Sequence, residues 1–204
     1  MRDYLDKYSG MGIYTTGMAR AATAEVKQKQ SEGKGENVNN LESMLTEFNQ
    51  EAATTKRVLD RVPANKLEWR PHAKSMSLGQ LALHIATMPA GIVRITKQDS
   101  FDVAQNSFTQ PSPKNLEEVQ AALEQTIRTV EPTLRECTAD TADANWHLMA
   151  GNTELASMPR ASVWRSLMLN HWYHHRGQLS VYLRLLDVPV PSIYGPSADE
   201  NPFA

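Results

Sequence analysis

Hydrophobic residues recur every three or four positions along four stretches of the chain, which is the period of one face of an α-helix. The first predicted helix covers residues 39–61, and Pro63 helps to end it because proline cannot continue a helix. The second begins after Ser77, a residue type that caps helix N-termini well. Pro89 interrupts its apolar pattern, which residues 92–95 resume. The first half of the chain is therefore predicted to contain two helices.

The second half of the chain contains two further amphipathic helices. The third opens at Asn115, and Glu118 three residues later completes a near capping box. The fourth covers about residues 162–187, and Pro189 and Pro191 prevent it from continuing. Four long amphipathic helices joined by loops predict an all-α protein, a four-helix bundle whose sites lie between facing helices.

Two connections between the predicted helices differ in character. Residues 100–113 are polar and contain prolines, which predicts a loop. Before the last helix, the apolar stretches 146–149 and 155–158 flank a Gly151-Asn152 turn. That pattern predicts a short β-hairpin next to the otherwise helical structure.

The N-terminal part of the chain falls outside this pattern. Its aromatic and methionine residues keep no sustained period, and residues 31–37 have the polar, glycine-containing composition of a flexible link. Residues 1–38 are therefore predicted to be an extension of undefined role, partly helical at 19–29. The bundle domain is predicted to cover residues 39–204.

The fourth helix carries histidines on the face that should point into the core. Its inward stripe, at steps of three or four residues, is Leu167, His171, His175, Leu179, Tyr182 and Leu186. His171 and His175 thus replace aliphatic residues, and a buried polar group without a partner costs about 1–3 kcal/mol. Because residues four apart project from one face of a helix, a metal ion could satisfy both rings at once.

His84 is the best third ligand, because it lies on the inner margin of the second helix and also replaces an aliphatic residue. Three histidines would leave coordination positions open, as in catalytic zinc sites. The pattern alone supports equally well histidines that only form hydrogen bonds with the backbone or with buried water. His174 is an alternative partner for His171 at a spacing of three, but the stripe favours His175 and gives His174 a supporting role.

Other reactive residue types give weaker signals. Trp172 stands where the His-Glu-x-x-His helix of zinc proteases has its glutamate, so the sequence does not support a protease. Cys137 is expected to be a small buried residue rather than a ligand or a nucleophile. Arg176 and Gln178 are expected to form hydrogen bonds on the helix surface.

The composition limits the choice of partner and compartment. A net charge of −2 gives no basic field, so no nucleic-acid partner is expected. The single cysteine excludes an internal disulfide and fits a reducing compartment. No apolar run approaches the length that spans a bilayer, and the N-terminus lacks the apolar core of a signal peptide. We therefore expect no membrane partner and a cytoplasmic location.

Three segments resemble parts of DinB/YfiT-like proteins. They are residues 70–86 (RPHAKSMSLGQLALHIA), 171–184 (HWYHHRGQLSVYLR) and 189–200 (PVPSIYGPSADE). The resemblance covers about residues 40–204. It implies an up-down-down-up four-helix bundle that forms homodimers and holds a divalent ion, with zinc or nickel expected. The family places one ligand on the second helix and a His-x-x-x-His pair on the fourth, and these positions match His84, His171 and His175.

The resemblance also implies a reaction class. Family members with assigned activities are metal-dependent transferases that use low-molecular-weight thiols, and related maleylpyruvate isomerases. The expected function is therefore activation of a low-molecular-weight thiol for attack on an electrophilic small molecule, with no residue assigned as a base. The alternative is a non-enzymatic, stress-associated module that binds a metal or a ligand, because the sequence fixes no carboxylate or nucleophile beside the three histidines.

Overall fold

The computed structural model describes residues 36–106 and 109–203, in which long helices pack together beside a small β-sheet. In chain order the elements are α1 (Glu36–Leu59), α2 (Leu78–Ile95), β1 (Ser100–Asp102), α3 (Leu116–Glu136), α4 (Ala139–Asp143), β2 (Asn145–Ala150), β3 (Thr153–Pro159), α5 (Arg160–Val163) and α6 (His171–Leu185). A 3-10 turn, Ala64–Lys66, follows α1, and a π-helical segment, Trp164–Asn170, joins α5 to α6. The predicted helix at 19–29 lies outside the described residues.

The predicted helix starts rely on local capping, and the structure contains both caps. The Ser77 side chain accepts a hydrogen bond from the Gln80 amide, and the Gln80 side chain bonds back to the Ser77 amide. Asn115 accepts from the Glu118 amide in the same way at the start of α3. The helix α2 continues through Pro89 to Ile95, so the interruption of the apolar pattern there does not end the helix.

The prediction of an all-α four-helix bundle is wrong, because the chain also forms a three-stranded mixed sheet in the order β1-β2-β3. The last predicted helix, 162–187, is not one continuous α-helix either, since α5, the π-helical segment and α6 follow one another there. The predicted hairpin is present as β2 and β3, which pair antiparallel, with Gly151 in the left-handed region at φ 59°. The correction concerns β1, which lies in the segment predicted to be a loop and pairs parallel with β2. A strand of three residues is too short to show an alternating pattern, and its partner lies far away in the sequence.

The sheet packs over the end of α2, over α5 and over the π-helical segment. A small buried cluster beneath it contains Trp146, Ala156, Met158 and Val163, with Ile92, Phe101, Leu148 and Leu167 against its edge. Arg160 holds this arrangement, since its Nε donates to the Thr96 carbonyl at 2.9 Å and its Nη2 pairs with Asp99 at 2.6 Å. These bonds connect the sheet to the end of α2.

The helix α2 is the centre of the main core and the most apolar element. By length and composition it is the one described helix that could cross a membrane, with a mean hydropathy of 1.2 over Leu78–Ile95. This differs from the expectation that no segment approaches that length. Because 61% of the helix is buried inside the protein, it has the character of a core helix, which passes the same test.

Candidate metal centre

Three histidines from two helices come together where α2 packs against α6. His84 lies within α2, and His171 and His175 occupy the first two turns of α6. Nε2 of His171 lies 3.4 Å from Nε2 of His84 and 2.8 Å from Nε2 of His175. One ligand nitrogen from each residue lies within 4.8 Å of the others. The structure thus brings together the three histidines that the sequence selects.

These three nitrogens could hold a metal ion. A tetrahedral zinc ion with ligands at about 2.0–2.1 Å separates neighbouring nitrogens by roughly 3.3 Å. The 3.4 Å between His84 and His171 already matches that separation. The 2.8 Å between His171 and His175 is the length of an N–H···N hydrogen bond, which an ion would replace once the rings move apart by roughly 0.5 Å.

Burial keeps all three imidazoles neutral, which is the form that binds metals. Burial, followed by the charges of His84 and His174, lowers the pKa of His171 to about 4. Burial, followed by the charges of His84 and His171, lowers the pKa of His175 to about 3. Burial also lowers the pKa of His84 below its usual value. No proton therefore competes with a metal ion at neutral pH.

Gln178 fixes the orientation of one ring. The Nδ1–H of His175 donates to Oε1 of Gln178 at 2.7 Å, so its Nε2 carries the free electron pair that faces the other two histidines. The expectation that Gln178 forms only surface hydrogen bonds is wrong, because it is half-buried and supports a candidate ligand. Its place three residues after His175, on the same helix face, is the sequence signal that identifies it.

The remaining candidate, His174, lies outside the nitrogen cluster. Its side chain is exposed, and its ring centroid lies 5.0 Å from that of His175 and 6.3 Å from that of His171. The structure therefore places His175, not His174, opposite His84. His174 lies at the solvent edge of the cluster.

Comparison with known proteins supports a family assignment. The sequence model of a family described as the DinB family matches residues 36–202, which is most of the chain. The chain belongs to the DinB family. This confirms the resemblance that the three sequence segments carry.

Relatives match this DinB-family protein at low sequence identity. The uncharacterized protein YrdA of Bacillus subtilis (strain 168) is 24% identical over 162 residues, which are 78% of this chain and 91% of YrdA. The crystal structure of a DinB-like protein from Bacillus cereus ATCC 10987 has a TM-score of 0.59 at 24% identity, covering 75% of this chain and 97% of that chain. YjoA, a DinB-like protein of Bacillus subtilis, has a TM-score of 0.56 at 17% identity, covering 78% and 98%. These two likenesses show the fold.

In this DinB-family protein the residue that follows His175 is buried. Arg176 is 2% exposed, and its guanidinium pairs with the Glu51 carboxylate at 2.5 Å. It also donates to Oγ1 of Thr55 at 3.1 Å and to the Tyr194 hydroxyl at 2.5 Å. The prediction of a surface role for Arg176 is wrong, because α1 and the C-terminal segment cover it. The polar Thr55 within the buried stripe of α1 is the sequence signal for such a partner.

The depressed pKa values predict that the metal-free DinB-family protein loses stability as the pH falls. The pKa values of His171 and His175 are about 4 and 3 in the folded state, against an ordinary 6.5. Because the unfolded chain binds protons first, the free energy of unfolding should decline from about pH 6.5 towards pH 4. Urea unfolding of the metal-free protein across this range measures the decline. The His171→Asn variant should show a smaller decline, and an unchanged slope would contradict the assignment.

Proposed function

We propose that this DinB-family protein is a metal-dependent transferase that joins a low-molecular-weight thiol to an electrophilic small molecule. The ligands of the divalent ion, zinc or nickel, would be Nε2 of His84, His171 and His175. The observation that carries the proposal is the cluster of three neutral, partly buried imidazoles contributed by two helices. A cluster of this composition is the donor set that divalent zinc and nickel accept.

A three-nitrogen site supports catalysis better than a purely structural role. Structural zinc sites are closed by four protein ligands, whereas catalytic sites keep a position open. A bound divalent ion supplies an open coordination position and favours the thiolate form of a thiol. The chain itself contributes rings held in the neutral state, one of them oriented by Gln178.

The nucleophile is expected to come from outside the protein. Among the described residues the cluster consists of histidines only, without a carboxylate or a cysteine. Cys137 does not belong to it, and burial raises the pKa of the Cys137 thiol, which disfavours its reactive form. An external thiol therefore supplies the chemistry that this chain's own side chains do not.

The proposal is tested on protein purified without an affinity tag. Elemental analysis should find about one divalent ion per chain, and mass spectrometry should detect a conjugate when the loaded protein is incubated with a panel of thiols and electrophiles. The His171→Ala variant should lose both signals, and His72→Ala, which changes an exposed histidine, should keep them. Bound metal without any conjugate above the metal-free background would instead favour the non-enzymatic module.

We further propose that the protein acts as a cytoplasmic homodimer. Support comes from Val181 and Leu185, which lie four residues apart on α6 and are 57% and 58% exposed. Apolar side chains at this spacing form one strip on a helix, which a second copy could cover. Sedimentation of the full chain measures the state of assembly.

Removing the acceptor that orients His175 should weaken metal binding. We expect Gln178→Leu to raise the metal Kd by about 10- to 100-fold, the usual effect of losing a hydrogen-bond partner of a ligand. Gln178→Glu keeps an acceptor at the same place and should retain the affinity. Isothermal titration with zinc compares the two variants. Equal affinities for the leucine and glutamate variants would show that the bond to Nδ1 does not matter.

A further inference from the structure

Pro89 and Trp172 lie outside the metal cluster, and both affect the hydrogen bonding of the Ile85 carbonyl group in α2. Proline has no N–H, so Pro89 cannot donate to the carbonyl of Ile85 four residues earlier in α2. The indole N–H of Trp172 donates to that carbonyl instead, at 2.8 Å. A hydrogen bond between two helices thus stands where a bond within α2 would otherwise form.

This hydrogen bond lies directly beside the metal cluster. Ile85 follows His84 in α2, and Trp172 follows His171 in α6. The indole is fully buried and stacks on Phe48 of α1, with ring centroids 5.4 Å apart and an interplanar angle of 21°. Both the donor and the acceptor are therefore attached to backbone that also carries a candidate ligand.

We propose that Pro89 and Trp172 are positioning residues that set the separation of His84 and His171. The proposal rests on the metal site proposed above. Burial of an aromatic ring is not directional, and phenylalanine would fill much of the same space. The N–H bond to a fixed carbonyl is directional, so it restricts both the sliding and the rotation of α6 against α2. It thereby favours the 3.4 Å separation of the two nitrogens, which fits a shared ion.

The variant Trp172→Phe removes the N–H and keeps a ring. We expect it to raise the zinc Kd by about 10-fold or more, in the range seen when support of a ligand is lost. With cobalt as the probe, the visible spectrum should change in shape and intensity, since it reports the geometry around the ion. A role limited to core packing would leave the affinity and the spectrum of the folded protein unchanged.

The chain offers a matched control in Trp164. This indole is 2% exposed, and its N–H donates to Oγ1 of Thr96 at 2.8 Å, away from the histidines. Trp164→Phe should lower the melting temperature much as Trp172→Phe does, but should change the zinc Kd by less than about twofold. Equal effects of the two variants on the Kd would overturn the proposal.

A second variant keeps the test independent of any folding defect. Pro89→Ala restores a donor within α2 that competes for the Ile85 carbonyl, and alanine favours helices. We expect it to raise the zinc Kd by about threefold or more without lowering the melting temperature, and to add little when combined with Trp172→Phe. A Kd unchanged by Pro89→Ala, or effects that add fully, would overturn the inference. Wild-type protein that binds no zinc would overturn the metal site as well.

Discussion

The His171→Ala variant is expected to contain less than about a tenth of the metal found in the wild-type protein. His171 is the central residue of the cluster, because its Nε2 approaches the Nε2 atoms of both His84 and His175. Losing a supporting residue around a ligand costs 10- to 100-fold in affinity, so losing the ligand itself should raise the Kd by about 100-fold or more. Elemental analysis and titration with zinc measure both quantities.

The matched controls for this experiment are two other histidines. His174→Ala changes an exposed neighbour on the same helix, and His72→Ala changes an exposed residue elsewhere. Both should retain the metal. If His171→Ala and His174→Ala both lost the metal while His175→Ala retained it, the ligand pair would be His171 and His174 rather than His171 and His175. Metal content equal to that of the wild-type protein in all the variants would show that the proposed site does not hold the metal.

The largest loss of stability is expected from Glu51→Ala. Its carboxylate pairs with Arg176, whose side chain is 2% exposed, and Glu51 itself is only 13% exposed. Removing one partner leaves a buried charge without its counterion, which typically costs about 3–5 kcal/mol. Denaturant unfolding should therefore show a large fall in the free energy of unfolding. Replacing both residues, with Arg176→Met added, should cost less than the sum of the single changes.

An exposed ion pair gives the control for this prediction. Glu124 and Arg128 face each other across one turn of α3 at 3.6 Å, with exposures of 65% and 61%. Glu124→Ala should change the free energy of unfolding by no more than about 0.5 kcal/mol, since such pairs are solvated and screened. If Glu51→Ala lowered the free energy of unfolding by less than about 1 kcal/mol, the hydrogen bonds of Arg176 with Tyr194 and Thr55 would be sufficient without the Glu51 carboxylate.

The fold can be predicted from the sequence where local patterns determine it. The helix starts at Ser77 and Asn115 follow from caps within a few residues, and the hairpin follows from a glycine-containing turn between two apolar stretches. The strand β1 could not be found in this way. It contains three residues, and its pairing with β2 depends on a segment that comes after α3 and α4. Nothing local distinguishes it from a loop.

The candidate site, like the fold, is predicted only in part by the sequence. The pair His171 and His175 follows from helical periodicity, and His84 follows from its place on the inner margin of another helix. The burial of the neighbouring Arg176 and Gln178 does not follow from the sequence, which predicts surface positions for both. Whether a polar side chain on the margin of a helix is solvated depends on what packs over it. Here α1 and the C-terminal segment cover Arg176.

By itself, then, the sequence determined the positions of the long helical stretches, the hairpin and the choice of three histidines, because each depends on residues close together in the chain or on one helical period. The tertiary structure alone decided the parallel strand, the burial of Arg176 and the tolerance of Pro89 within α2. Each of these requires a partner from a distant segment, such as the indole N–H of Trp172 at the Ile85 carbonyl. Helical periodicity shows which face of a helix is buried, but not which group lies opposite it.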